Sequence, residues 1–161
     1  RGAFIPHFTM KDIMELYQIR VAADGMAAYL SVKRQDPELL AALEASTERE
    51  SALLAITPAP IKEVSAEDLV FHDILIKGCG NGRLIETIDL AENQMKRIMR
   101  ASADRYALEA LTISLDYHKR VVEAFRAKNS DLARKLIEDH WSNNLNGYIL
   151  RDLAGTLPLD L

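Results

Sequence analysis

The sequence predicts an all-α fold, an antiparallel bundle of six amphipathic helices. Three observations predict it. Ala, Leu, Ile and Glu are frequent, while aromatics are only 6% of the 161 residues, a mixture that favours helix over strand. Apolar residues recur at spacings of three and four, and no useful stretch alternates as a strand does. Helix caps and breakers separate the periodic segments.

The first helix is capped by Thr9, with Asp12 three residues on in a capping-box arrangement. Its inward stripe is Ile13, Leu16, Arg20, Ala23, Ala27 and Leu30. Asp36-Pro37 reads as an N-cap followed by a proline in the first turn. A second helix then runs to about Ile56, with Leu39, Leu40, Leu43 and Leu53 among its apolar positions. Thr57-Pro58-Ala59-Pro60 is a loop. The third helix starts near Ser65 and carries Leu69, Phe71, His72, Leu75 and Ile76 up to Gly78-Cys79-Gly80-Asn81. Asn81 caps a fourth helix, which runs to about Ser102 through Leu84, Ile88, Ala91, Met95, Ile98 and Met99. The fifth covers about Leu108 to Ala127. Lys128-Asn129 is the turn, and Ser130 caps a sixth helix that reaches about Arg151. The tail from Asp152 is irregular, with an apolar patch at Leu157 and Leu159. Short connections between such helices make an antiparallel bundle, and this length encloses a core thick enough to contain a cavity.

Composition narrows the classes of function. The chain is 48% hydrophobic and 27% charged, which is globular, and its 7 Gly and 5 Pro exclude a collagen-like or linker-like polymer. The single cysteine, Cys79, excludes a disulfide framework and a multi-cysteine zinc site, and it fits the reducing cytoplasm. A net charge of −4 is a poor basis for binding nucleic acid. No apolar run is long enough to span a bilayer. The opening Arg1-Gly2-Ala3-Phe4-Ile5-Pro6-His7 has neither an initiator Met nor the apolar core of a secretory signal. The chain therefore reads as one domain cut from something longer, with residues 1–8 a linker remnant.

The chemistry sits in the histidines. Of the four, His7 lies in the irregular opening, while His72, His118 and His140 fall on inward faces. Asp68 and His72 are four apart and share one face of the third helix. His118 belongs to the stripe Leu111, Leu115, His118, Val122 and Phe125, and His140 to the stripe Ala133, Leu136, Ile137, His140 and Asn144. Asn129, at the predicted turn, is eleven residues from each of His118 and His140. In an antiparallel hairpin both then lie at the same height, about 16 Å from the turn. Neutral imidazoles with one carboxylate suit a divalent transition metal: zinc first, then nickel, manganese or iron. Each residue alone also has an ordinary explanation. An inward histidine can be a satisfied core residue, and Asp68 can be the capping-box partner of Ser65. The hairpin symmetry of His118 and His140 is the part that folding does not need.

Arg20 interrupts the first apolar stripe, with Asp24 one turn later. It is either half of an intrahelical ion pair or a guanidinium lining a cavity, ready for a carboxylate. Asn143 and Asn144, one turn beyond His140, are second candidates for contact with a bound ligand, with a surface asparagine as the default alternative. Arg97, beside Arg100 on the fourth helix, is a third, with a solvated face as the alternative.

These residues resemble a known family. Glu15-Leu16-Tyr17-Gln18-Ile19-Arg20, Asp68-Leu69-Val70-Phe71-His72-Asp73-Ile74 with Gly80-Asn81 and Leu84, and the run from His118 through Val121, Ala124 and Asn129–Ala133 to His140 are similar to the FCD domain. That is the C-terminal effector-binding domain of GntR-type, FadR-branch bacterial transcription regulators. The resemblance covers about residues 10 to 150. It implies a bundle of six or seven helices around a central cavity, with Asp68, His72, His118 and His140 holding a divalent metal. It further implies a small organic acid bound beside that metal and meeting Arg20, and a homodimer. Operator DNA would be reached only through an N-terminal winged helix-turn-helix domain that this chain lacks. Asp24 stands where the family often has Glu.

The expected function is therefore ligand sensing for a transcription regulator, without catalysis. The alternative is a metal-dependent helical hydrolase of the His-Asp phosphohydrolase type, on account of the adjacent His72-Asp73. A di-iron bundle would need paired Glu-x-x-His motifs, and the sequence has none.

Overall fold

The structure, a computed structural model, describes the backbone of residues 9–99 and 107–144, and their side chains apart from residues 10 and 97–99. Six helices make it up: α1 (Met10–Arg34), α2 (Pro37–Leu54), α3 (Ile61–Gly78), α4 (Gly82–Met99), α5 (Ala107–Arg126) and α6 (Ser130–Asn144). No strand occurs among the described residues.

Local chemistry sets most of the ends. The Thr9 hydroxyl accepts from the Asp12 N–H at 3.2 Å, and the Asp12 carboxylate accepts from the Thr9 N–H at 2.8 Å. This is the expected capping box, and such a cap contributes about 1 kcal/mol. Asp36 accepts from the N–H groups of Glu38 and Leu39 and so caps α2, with Pro37 in the first turn. The third helix begins four residues earlier than expected, at Ile61. Pro60 precedes it with φ −77°, and its carbonyl accepts from the Val64 N–H at 3.0 Å. A pre-set proline φ starts this helix without a side-chain cap, so Ser65 lies inside it. The explanation of Asp68 as a capping partner falls with that.

Gly80, at φ +68°, turns the chain out of α3 in a conformation that glycine adopts without strain. Asn81 then accepts from the Leu84 N–H at 3.2 Å, as expected. At the end of α5, the Lys128 N–H bonds the Phe125 carbonyl and the Asn129 N–H bonds the Ala124 carbonyl, at 2.9 and 2.8 Å. With Lys128 at φ 57° this is a Schellman turn. Asn129, rather than the expected Ser130, caps α6: it accepts from the Leu132 N–H at 3.0 Å, and Ser130 is already helical. The expected extensions of the fourth helix to Ser102 and of the sixth to Arg151 lie outside the described residues. So do the tail patch at Leu157 and Leu159, the linker stretch 1–8 and His7.

Helix α1 packs on α6, α4 and α3, while α2 packs on α3 and α5, and α5 on α6 and α3. One core joins Ile13, Leu16 and Tyr17 of α1 to Leu43 of α2, Phe71 and Leu75 of α3, Val121 and Phe125 of α5, and Ile137 and Trp141 of α6. Burying each such side chain contributes about 1.5–3 kcal/mol before the entropy of ordering. At Gly25 a Cβ would stand 2.7 Å from Cγ of Glu138, so glycine there lets α1 lie close on α6.

Two apolar expectations change. The inward face of α2 runs Leu39, Leu43, Ser46, Thr47 and Glu50, while Leu40 and Leu53 are only half-buried. On α3, Leu69 is exposed, and Phe71, His72, Leu75 and Ile76 face inward. The stripe of α1 is buried from Ile13 through Ala27, with Leu30 half-buried.

Candidate metal centre

Three helices aim one imidazole each at a common point. His72 comes from the middle of α3, His118 from the middle of α5 and His140 from the last turns of α6, and all three are buried. Nε2 of His72 lies 3.1 Å from Nε2 of His140 and 3.3 Å from Nε2 of His118. One nitrogen from each ring falls in a set whose members are all within 4.8 Å of one another. The hairpin arithmetic of α5 and α6 holds: His118 and His140 face each other with ring centroids 5.5 Å apart.

Physical chemistry gives such a set a clear use. A neutral imidazole has one N–H and one lone pair, so three Nε2 atoms pointing at each other cannot all be satisfied among themselves. Two nitrogens bound at 2.0–2.1 Å to one tetrahedral zinc stand about 3.3 Å apart. The observed spacings fit that geometry. The rings are also kept neutral. Burial pushes His72 and His140 well below the ordinary histidine range, with neighbouring imidazoles and the Arg20 cation adding to the effect. Burial takes His118 down to about 4, against the opposing pull of Asp68. Neutral imidazole is the form that binds a metal.

Asp68 stands beside this set rather than at its centre. Its Oδ1 is 3.8 Å from Nε2 of His118 and accepts a hydrogen bond from the Ser114 hydroxyl. Asp68 groups with His118 and Glu50 as a second trio of donors. Burial raises the Asp68 carboxyl, while His118 and Ser114 hold it down. Glu50, at the inner end of α2, is fully buried, and its Oε2 is 2.9 Å from Nδ1 of His118. Burial pushes Glu50 up to about 8, with Glu67 adding and Lys119 opposing. Phe71 stacks on the His118 ring at 3.9 Å between centroids, which fixes the plane of that ring.

Arg20 is buried and paired within its own helix. Its Nε and Nη2 reach the Asp24 carboxylate at 2.7–3.0 Å, and its guanidinium lies 4.3 Å over the Trp141 ring. Arg20 therefore forms the intrahelical ion pair, buried in the interior rather than on a partly exposed face. Burial pushes the Asp24 carboxyl up, and the guanidinium opposes that push. Asn144 borders the centre, with Nδ2 at 3.4 Å from Nε2 of His140. Asn143 instead turns to the Tyr117 hydroxyl. The Arg97 side chain lies outside the described residues. Asp73, sequence neighbour of His72, points outward to Lys77 at 2.8 Å, so the adjacent His-Asp pair does not act as a unit.

Glu50, Ser114 and Trp141 join the site without being among the residues the sequence pattern points to. Glu50 continues the series Leu39, Leu43, Thr47 at helical spacing, and a carboxylate on an apolar stripe is the signal that marks it. Ser114 lies one turn before His118 on the same face. Trp141, the only tryptophan, carries no periodic signal beyond its place next to His140.

The sequence pattern of the FCD domain matches residues 15–143, a span that includes Arg20, Glu50, Asp68 and all three clustered histidines. The chain is also 26% identical over 145 residues to an uncharacterized HTH-type transcriptional regulator, YdhC, of Bacillus subtilis (strain 168). That alignment covers 89% of this chain and 62% of the regulator, so the chain spans about three fifths of its relative's length. The match runs through all six helices of the described residues and the buried histidine cluster, and the chain belongs to the FCD domain family.

Proposed function

We propose that this chain is the ligand-sensing domain of a transcription regulator, and that it binds a small organic acid beside a divalent metal ion. The observation that carries the reading is the convergence of the three Nε2 atoms of His72, His118 and His140. His72, His118 and His140 would hold the cation, with Asp68, 3.8 Å from Nε2 of His118, as the carboxylate donor. Zinc suits this donor set best, with nickel, manganese or iron as the other fits. A cation held there supplies a Lewis-acid anchor for a carboxylate.

The chain's own residues do the rest. Arg20 is fixed by Asp24 and Trp141 yet keeps N–H donors over, so it offers a second, oriented anchor for an anionic ligand. Asn144 adds a hydrogen-bonding group at the edge. Arg97 on α4 remains a third candidate contact. Because α1, α3, α5 and α6 each contribute a group, a ligand joining them changes how these helices pack. Only a difference in affinity between two packings transmits a signal. The likeness to an HTH-type regulator supports DNA as the distant partner, reached through a separate domain; a homodimer of such bundles is the working unit of this proposal.

The outward aim of Asp73 weighs against the helical hydrolase, which needs that carboxylate at the metal. The test is elemental analysis of the purified chain, with His118→Ala and His140→Ala together. Near-stoichiometric metal in the wild type, abolished in the double variant along with organic-acid binding, supports the reading. Unchanged metal content in the variant overturns it.

A further inference from the structure

We propose that Glu50 is a positioning residue of the metal centre: with a cation bound, its carboxylate accepts the Nδ1–H of His118 and so commits Nε2 of that ring to the cation. The proposal rests on the metal-binding reading above and adds a fourth helix, α2, to the centre.

The geometry isolates this role. Oε2 of Glu50 meets Nδ1 at 2.9 Å, on the edge of the ring opposite the one that faces His72. Glu50 therefore reaches the ring from behind and is not placed to ligate what Nε2 ligates. Its other oxygen, Oε1, has no hydrogen-bond partner, so local hydrogen bonding at that end does not account for a carboxyl here. The nearby cations are engaged elsewhere. Arg49 pairs with Glu67 at 2.8 Å, and Lys119 reaches the Ser51 hydroxyl. Among the described residues the only ion-pair partner of Glu50 is His118.

A buried carboxylate without Lys or Arg is costly, and Leu or Met would fill the same place more cheaply. What a carboxylate provides is an acceptor. The stack on Phe71 fixes the plane of the His118 ring, and Glu50 fixes which nitrogen carries the proton. The competing contact is the Ser114 hydroxyl, 3.4 Å from Nε2, but it is longer, and Ser114 donates its own proton to Asp68. Carboxylates that orient ligating histidines in this way typically change metal affinity by about 10–100-fold.

The test uses the full chain, stripped with a chelator and titrated with zinc alone. Wild type is expected to bind one zinc, with His118 bound through Nε2 and its Nδ1–H slow to exchange in imidazole nitrogen NMR. Glu50→Gln, the same shape without the charge, is expected to weaken zinc about 10–100-fold and lose that protected proton. If Glu50→Gln does not fold, Glu50→Asp decides, since it keeps the charge but withdraws by one methylene. It is expected to weaken zinc and speed exchange. Wild-type affinity with a wild-type Nδ1 proton in the folded variant overturns the proposal while the metal centre stands. So does zinc on Nδ1, or a second zinc that is lost with Glu50. No zinc on the wild type overturns the metal reading itself, and this proposal with it.

Discussion

His72 and His140, 68 residues apart in the chain, face each other through their Nε2 atoms at 3.1 Å. Both imidazoles are buried, at places where an apolar side chain would pack. The pair, closed by His118 at 3.3 Å from His72, defines the point on which the functional reading turns.

Removing one histidine should separate binding from folding. His140→Ala is expected to lower zinc affinity by at least 100-fold, with the metal-free chain changing by no more than the cost of a small cavity, about 1–3 kcal/mol. Competition titration and urea unfolding in a chelator measure the two. A variant that unfolds while the wild type holds no zinc would show a purely structural cluster.

The ion pair in α1 predicts non-additivity. Arg20→Ala leaves the Asp24 carboxylate buried and uncompensated, at about 3–5 kcal/mol. Arg20→Met with Asp24→Leu should recover most of that loss, because apolar groups of similar size replace the pair. The double variant is expected to fold and bind zinc yet fail to bind organic acids in calorimetry. Retained binding would remove Arg20 from the ligand site.

The buried acid and bases give the metal-free chain an asymmetric pH profile. His118 falls to about 4 in the folded state, so the unfolded chain binds the extra proton between pH 4 and 6.5, and stability rises with pH there. His72 and His140 act in the same direction. Glu50 rises to about 8, so the folded chain holds the extra proton from pH 4.5 up to 8, and stability falls with rising pH. Above pH 6.5 only the Glu50 effect remains of these, with a limiting slope of about 1.4 kcal/mol per pH unit. Unfolding in chelator should therefore show stability falling between pH 6.5 and 8, and Glu50→Gln should flatten that alkaline side. A decline that persists in the variant assigns it to another group.

Phe71 links packing to the site. Phe71→Ala is expected to cost about 3–5 kcal/mol, the range for large aromatic truncations, and to weaken zinc by freeing the His118 ring. Phe71→Leu should restore most of the stability but not the stacked ring, so zinc affinity stays low in the Leu variant. Full recovery of affinity with Leu would show that the stack does not matter.

Much of the fold was legible because it is written locally. The Thr9–Asp12 box, the Asp36-Pro37 start and the Gly80 turn each need only a few adjacent residues. The hairpin of His118 and His140 was legible too, since counting from Asn129 gives height and the apolar stripes give direction. Where the signal was non-local, it failed. Ser65 looked like a cap because the proline start at Ile61 leaves no side-chain mark. The stripe of α2 marks Glu50 as inward, but its role was not legible, because its partner, His118, is brought to it only by the packing of α2 on α5. The grouping of Asp68 with Ser114, Glu50 and His118, off the centre of the three imidazoles, likewise depends on how α3 sits against α5.

X-ray absorption at the zinc edge of the zinc-loaded chain tests the central claim most directly. The account predicts a four- or five-donor shell at about 2.0–2.1 Å, made of three imidazole nitrogens and oxygen. An all-oxygen shell, or fewer than two imidazoles, would contradict it.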